Sequence, residues 1–124
     1  MGAFNWIVLK DKCPNCKKIA KIRCQTHVAS SFDGDSTGAF RNCEYEIGDI
    51  MRWWSKEDAR FKEWRVNGKK VNNRPETKDD FECCYAICSN CDAELYALIR
   101  FEENKPVELL DVGLEESWPE EYYK

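Results

Sequence analysis

Two C-x-x-C motifs, Cys13-Pro14-Asn15-Cys16 and Cys88-Ser89-Asn90-Cys91, decide which fold this chain can adopt. Each motif lies between two candidate strands, at the position of a hairpin turn, and we call each such turn a knuckle. In a knuckle two thiolates converge on one ion while nearby backbone amides donate hydrogen bonds to the sulfurs. Two knuckles provide four soft ligands and leave no open position, as structural Zn²⁺ requires. We therefore predict one structural zinc ion held by Cys13, Cys16, Cys88 and Cys91.

The separation of the two knuckles is unusual. A simple zinc ribbon separates its knuckles by roughly 15 to 20 residues, whereas residues 17–87 intervene here. Either the ribbon contains a large insertion, or the knuckles meet only through the tertiary fold. The alternative for each motif is a redox dithiol. That site requires a C-x-x-C at the start of a helix, and neither motif opens a helical pattern.

The remaining cysteines and the single histidine leave a second metal site open. Cys24 and His27 form a C-x-x-H pair that could bind zinc together with Cys43 and one of Cys83 and Cys84. Residues three apart on a strand, however, point to opposite faces of a sheet. Free cysteine is commonly a small buried hydrophobic residue. Core packing is therefore the favoured interpretation, with a second metal site, a disulfide or a catalytic thiol as alternatives.

Alternation of apolar and polar residues predicts a sheet around the knuckles. The predicted strands are residues 19–28, 43–47, 81–87, 93–101 and 107–112. With one short helix, they predict a β-rich α+β fold built on an antiparallel sheet with zinc-ribbon-like knuckles. We expect a single zinc-stabilised domain over residues 1–124, in which residues 113–124 form a docked or flexible acidic tail.

The predicted helix begins after Ser55. Ser55 is a good N-cap and Asp58 carries the carboxylate that a capping box favours. Trp54, which precedes the cap, can pack on Ala59 as a hydrophobic staple. Beyond the helix, residues 66–71 contain an Asn-Gly pair and predict a tight hairpin.

Composition agrees with one globular domain. Hydrophobic residues make up 43% of the chain and charged residues 34%, which is too apolar for a disordered chain and too charged for a membrane span. The apolar run from Trp6 to Leu9 is too short for a secretory signal. We therefore expect a cytoplasmic protein with no membrane association, whose reduced thiols favour metal binding over disulfides.

Three segments carry a resemblance to a group of known proteins. They are the C-P-x-C knuckle after a short apolar strand, the sequence YEIGDIMRW at residues 45–53, and the second C-x-x-C followed by a strand. In these segments the chain resembles small uncharacterised bacterial and phage proteins of the zinc-ribbon type. It departs from them where a glycine commonly follows each knuckle, since Lys17 and Asp92 stand there. The resemblance implies a zinc-stabilised fold and brings no assigned activity.

Enzyme motifs are absent from the sequence. It has no glycine-rich phosphate loop, no G-x-S-x-G elbow and no H-E-x-x-H motif. A zinc ion with four thiolates has no position for a substrate. We expect a non-enzymatic protein, with catalysis by paired carboxylates left open.

Aromatic residues and an acidic C-terminal end favour protein interaction. The chain has five tryptophans and five tyrosines, residue types enriched at interfaces, and residues 101–124 hold eight acidic residues against two basic. Such a surface complements a basic toxin or a basic enzyme, and a bacterial toxin immunity protein is the narrowest form of this hypothesis. The candidate partner-binding residues are Trp53, Trp54, Glu115, Glu116, Trp118, Glu120, Glu121 and Tyr122. The alternative for these aromatics is a core with a docked tail.

The alternative function is nucleic-acid binding by the first knuckle. Residues 1–25 hold six basic residues against one acidic. Those that could contact phosphate are Lys10, Lys12, Lys17, Lys18, Lys21 and Arg23. The net charge of -4 makes this hypothesis the weaker one.

Overall fold

A mixed six-stranded sheet forms the frame of the molecule. The computed structural model describes residues 4–31, 34, 40–67, 80–102 and 104–122. The elements are β1 (Asn5–Lys12), β2 (Ile19–Thr26), β3 (Glu44–Tyr45), α1 (Ala59–Asn67), β4 (Asp80–Cys88), β5 (Glu94–Glu102), β6 (Lys105–Leu114) and a final 3₁₀ turn (Glu115–Ser117). The strands follow the order β3-β1-β2-β4-β5-β6 across the sheet. The predicted β-rich fold is confirmed for the described part of the chain.

The predicted purely antiparallel sheet is wrong at its β3 edge. The other neighbours pair antiparallel, but β3 pairs parallel with β1. A buried asparagine fixes this path, because the Asn5 side-chain amide donates to the carbonyls of Ala29 and Phe40 at 3.0 and 3.1 Å. Its oxygen accepts from the backbone amide of Cys43 at 3.1 Å. A parallel neighbour needs such a crossover instead of a hairpin turn.

One face of the sheet packs into the core, and the other is open except where the segment after β6 covers Tyr96. The fully buried residues include Ile7, Ile22, Cys24, Ala86, Leu95 and Ile99. Tyr45, Met51 and Trp53, from the segment that begins at β3, pack against this core face. On the opposite side, Ile19 is 72% exposed and Phe81 is 51% exposed. This open face carries the alternate strand residues, among them Trp6, Lys10, Lys21, Arg23 and Tyr85.

The helix begins three residues later than predicted. α1 starts at Ala59, and the carboxylate of Asp58 accepts a hydrogen bond from the backbone amide of Arg60 at 2.8 Å, as an N-cap residue does. Ser55 instead accepts through its carbonyl from the amide of Asp58 in the preceding turn. The predicted hairpin at residues 66–71 is wrong at its start, because α1 extends to Asn67. Residues 68–71 lie outside the described residues.

The segment after β6 folds back onto β5 through one aromatic pair. The ring centroids of Trp118 and Tyr96 are 6.1 Å apart, and the Trp118 indole N–H donates to the carbonyl of Tyr122 at 3.2 Å. The Tyr96 hydroxyl donates to the carboxylate of Asp111 at 2.9 Å, which fixes the ring. On β6 the ring covers Gly113, its cross-strand partner. A Cβ at Gly113 would lie 2.5 Å from Tyr96 Cε2, so only glycine fits.

Gly113→Ala should displace the Tyr96 ring and release the Trp118 segment. We expect a loss of about 1–3 kcal/mol in the free energy of unfolding, as overpacking usually costs, together with a change in tryptophan fluorescence. Urea unfolding measures the first effect. In a Tyr96→Ala background the same substitution should cost clearly less, because the clashing ring is gone. An equal cost in both backgrounds would contradict the proposed contact.

Candidate metal centre

The pairing of β2 with β4 brings the two knuckles together. β2 begins soon after the first knuckle and β4 ends at the second, and the antiparallel pairing places Ile22 opposite Cys88. Ser89 donates to the carbonyl of Lys21 through its backbone amide at 2.9 Å and through its hydroxyl at 2.7 Å. Residues 27–79 are therefore an insertion between two strands that are neighbours in the sheet. This accounts for the large spacing between the motifs.

The two knuckles have the same local geometry. The backbone amide of Asn15 donates to Cys13 Sγ at 3.3 Å, and the backbone amide of Asn90 donates to Cys88 Sγ at 3.4 Å. Backbone amides directed at sulfur favour the thiolate over the thiol. Both turns thus direct a backbone amide at the sulfur of their first cysteine.

Left-handed residues close both turns at equivalent positions. Lys17 and Asp92 have φ angles of 63° and 60°. Their backbone amides donate to the carbonyls of Cys13 and Cys88 at 2.9 and 2.8 Å. A non-glycine residue in this region costs roughly 1–2 kcal/mol. The chain therefore keeps the knuckle geometry without the glycines common at these two positions.

Two asparagine side chains connect the knuckles to each other. Asn15 Nδ2 donates to Cys91 Sγ at 3.4 Å, and Asn90 Nδ2 donates to Cys16 Sγ at 3.5 Å. Each knuckle thus supports a sulfur of the other, which the sequence analysis did not predict. The available signal was the asparagine that both motifs carry before their second cysteine.

The four knuckle sulfurs form one compact cluster. The Sγ atoms of Cys13, Cys16, Cys88 and Cys91 all lie within 4.8 Å of one another. Those of Cys13 and Cys91 are 3.8 Å apart, which matches the edge of about 3.8 Å expected for a tetrahedron with metal–sulfur bonds of about 2.3 Å. Cys13 and Cys88 are fully buried. The cluster can hold a metal ion, and its donors and dimensions are consistent with zinc.

The protein environment shifts the pKa values of the knuckle thiols in different directions. Hydrogen bonding from the Asn90 side chain, above all, lowers the pKa of Cys16 to about 6, and the Asn15 side chain likewise lowers the pKa of Cys91. Burial raises the pKa of Cys13 to about 11. A coordinated metal ion deprotonates thiols outright. Cys16 and Cys91 therefore ionise more readily than Cys13, which a bound metal ion would deprotonate.

The other cysteines do not join a metal cluster. Among the residues that the structure describes, the four knuckle cysteines are the only such group of metal-ligating side chains. Cys24 and Cys84 are buried in the core, which confirms core packing for this pair. Burial raises the pKa of Cys24 to about 12 and that of Cys83 to about 11, so these thiols are poor nucleophiles at neutral pH. Cys43 is half-buried beside β3.

His27 binds a carboxylate instead of a metal. Its Nδ1 lies 3.2 Å from Glu82 Oε2, and the same oxygen accepts from the His27 backbone amide at 3.0 Å. Thr26 Oγ1 donates to the other carboxylate oxygen at 2.5 Å. Hydrogen bonding to Glu82 raises the pKa of His27. The C-x-x-H pair is thus divided, with the Cys24 thiol in the core and the His27 ring bound to Glu82 after the end of β2.

The predicted partner-binding residues lie away from the sulfur cluster in two groups. Trp53 and Trp54 pack on the buried Phe40 ring, with centroid distances of 5.3 and 5.6 Å. Trp118 packs on Tyr96, and Tyr122 is half-buried beside it. The acidic members are half-buried or exposed around that turn: Glu115, Glu116, Glu120 and Glu121. Their role in binding stays a prediction.

Comparisons with protein-family models, curated proteins and solved structures find no match to this chain. The resemblance to zinc-ribbon-type proteins therefore stays a prediction. In the part of the chain that the structure describes, no helix has the length and apolar character needed to cross a membrane.

Replacement of one knuckle sulfur should remove both metal and fold. Protein purified without chelator should contain one zinc ion per chain, and Cys16→Ser should lose it and unfold, because ligand binding and folding are coupled. Elemental analysis and circular dichroism measure the two effects. Cys24→Ala is the matched control, since it removes a buried sulfur outside the cluster and should keep the zinc at a cost of about 1 kcal/mol. A metal-free wild-type protein would contradict the site.

Proposed function

We propose that this chain is a non-enzymatic, zinc-stabilised domain that binds a basic protein through its acidic C-terminal surface. A zinc ion with four cysteine ligands supports a structural role, because no coordination position is left for substrate or water. The function of the metal is then to hold a binding surface in shape, and the binding chemistry lies elsewhere on the molecule.

The pairing at the centre of the sheet, between β2 and β4, is short. β1 and β2 pair along their whole length, as do most of β4 and β5, whereas β2 pairs with β4 only over Ile22–Cys24. The sulfur cluster lies at the end of this short pairing. Zinc in the cluster would join the β1–β2 hairpin to the rest of the sheet.

The acidic surface carries the proposal. Glu116, Glu120 and Glu121 are exposed and form no ion pair with a described residue. The packing of Trp118 on Tyr96 holds this segment on the sheet. Carboxylates on a fixed support bind a basic surface at a lower entropic cost than carboxylates on a free tail.

The nature of the partner follows from charge. Like-signed carboxylates without internal counter-ions repel one another, and a lysine- or arginine-rich surface relieves this repulsion. A toxin or an enzyme that acts on nucleic acid has such a surface. Inhibition of a toxin, as by a bacterial immunity protein, is the narrowest form of the proposal.

Charge reversal at the acidic surface should slow association. For Glu116→Lys, Glu120→Lys and Glu121→Lys combined, we expect the association rate with a basic probe protein such as cytochrome c to fall at least tenfold, while dissociation changes by less than about threefold. Surface plasmon resonance measures both rates.

A matched variant reverses three exposed carboxylates elsewhere, Glu46, Glu57 and Glu63, to lysine. It changes the net charge equally and should leave most of the association rate intact. If both triple variants slow association equally, binding does not use the acidic surface and the proposal is wrong.

A further inference from the structure

The β1–β2 hairpin concentrates positive charge on one end of the open face. Its exposed lysines, none of which forms an ion pair with a residue that the structure describes, are Lys10, Lys12, Lys17, Lys18 and Lys21. The hairpin has one carboxylate, Asp11, which lies between Lys10 and Lys12 and therefore points to the opposite face of the strand.

The strand register places two of these charges against each other. Lys10 lies directly opposite Lys21 in the β1–β2 pairing. Like charges in directly opposed positions destabilise an antiparallel pair. The hairpin thus carries an arrangement that is unfavourable for folding and favourable for binding an anion between the two lysines.

Aromatic residues lie beside this charge on the same face. The Arg23 guanidinium lies 4.2 Å from the centroid of the Trp6 ring, and Phe4 meets that ring edge-on at 5.2 Å. Glu44 accepts from Arg23 at 2.9 Å and holds the guanidinium over the ring. Tyr85, farther along the same open face, donates its hydroxyl to Glu94 at 2.9 Å and is not part of this aromatic group. Aromatic and basic side chains together on an exposed sheet form the usual platform for single-stranded nucleic acid.

We propose that the open face of the β1–β2 hairpin binds the phosphate backbone of single-stranded nucleic acid. Lys10 and Lys21 share a phosphate, and the exposed lysines of the first knuckle contact the continuing strand. The acidic β6 lies at the other edge of the sheet, with β4 and β5 between, and the turn after it packs on Tyr96 of β5. The basic surface lies on β1 and β2 and the acidic one on β5, β6 and the turn after it, so the inference does not rest on the proposed function.

The test uses full-length zinc-loaded protein and a fluorescently labelled 15-nucleotide oligo(U) in an anisotropy titration. We expect binding at low salt that weakens steeply as salt rises, since each phosphate contact contributes about -0.7 to the slope of log K against log salt for single strands. Lys10→Glu should weaken binding at least tenfold. The same substitution places opposite charges across the strands and should raise the urea midpoint slightly. If Lys10→Glu lowers the affinity for oligo(U) and raises the urea midpoint, the lost affinity comes from a lost contact and not from unfolding.

The control variant carries Lys56→Glu and Lys62→Glu, which remove exposed lysines near and within α1, and should bind as the wild type does. Lys10→Gln with Lys21→Gln provides a second variant without charge reversal and should also lose affinity. The proposal is overturned if the wild type does not bind oligo(U) at low salt. Tighter binding of duplex of the same length, equal binding of polyglutamate, or equal losses in the control variant would overturn it as well.

Discussion

The meeting of four cysteine sulfurs at the end of the β2–β4 pairing is the constraint on which the rest of the structure depends. These strands join two hairpins, yet they pair only over Ile22–Cys24 on the β2 side. Residues 27–79 separate these strands along the chain, so the entropic cost of bringing distant residues together opposes this pairing. A metal ion bound to four thiolates would offset that cost, and reciprocal hydrogen bonds from Asn15 and Asn90 link the two knuckles.

Clamping the hairpins together also separates opposite charges on one rigid sheet. The basic β1–β2 hairpin lies on one side of the sulfur cluster, and acidic β6, with its turn packed on β5, lies on the other. Both surfaces would depend on a bound metal ion through the fold that it holds together, and the basic one also borders the first knuckle. Loss of the metal would therefore abolish both proposed binding activities. Charge changes on one surface would abolish only the activity of that surface.

The metal cluster could be predicted from the sequence because its ligands lie in short motifs. The path of the long connections between the strands could not. The knuckle spacing identifies Cys13, Cys16, Cys88 and Cys91, and the period-two alternation locates the long strands. The parallel β3 depends on Asn5, which binds backbone groups far along the chain. Ser55 and Asp58 are both good N-cap residues with nearly equal intrinsic preference for that position. The tertiary structure around them therefore decides where the helix starts.

X-ray absorption at the zinc K-edge of the purified full-length protein tests the central claim most directly. The account predicts a first shell of four sulfur atoms at about 2.3 Å with no nitrogen or oxygen ligand. Such a shell requires all four knuckle cysteines, because among the described residues no other group of metal-ligating side chains converges. A shell that contains nitrogen or oxygen, or fewer than four sulfurs, would contradict a closed four-cysteine clamp between the two hairpins.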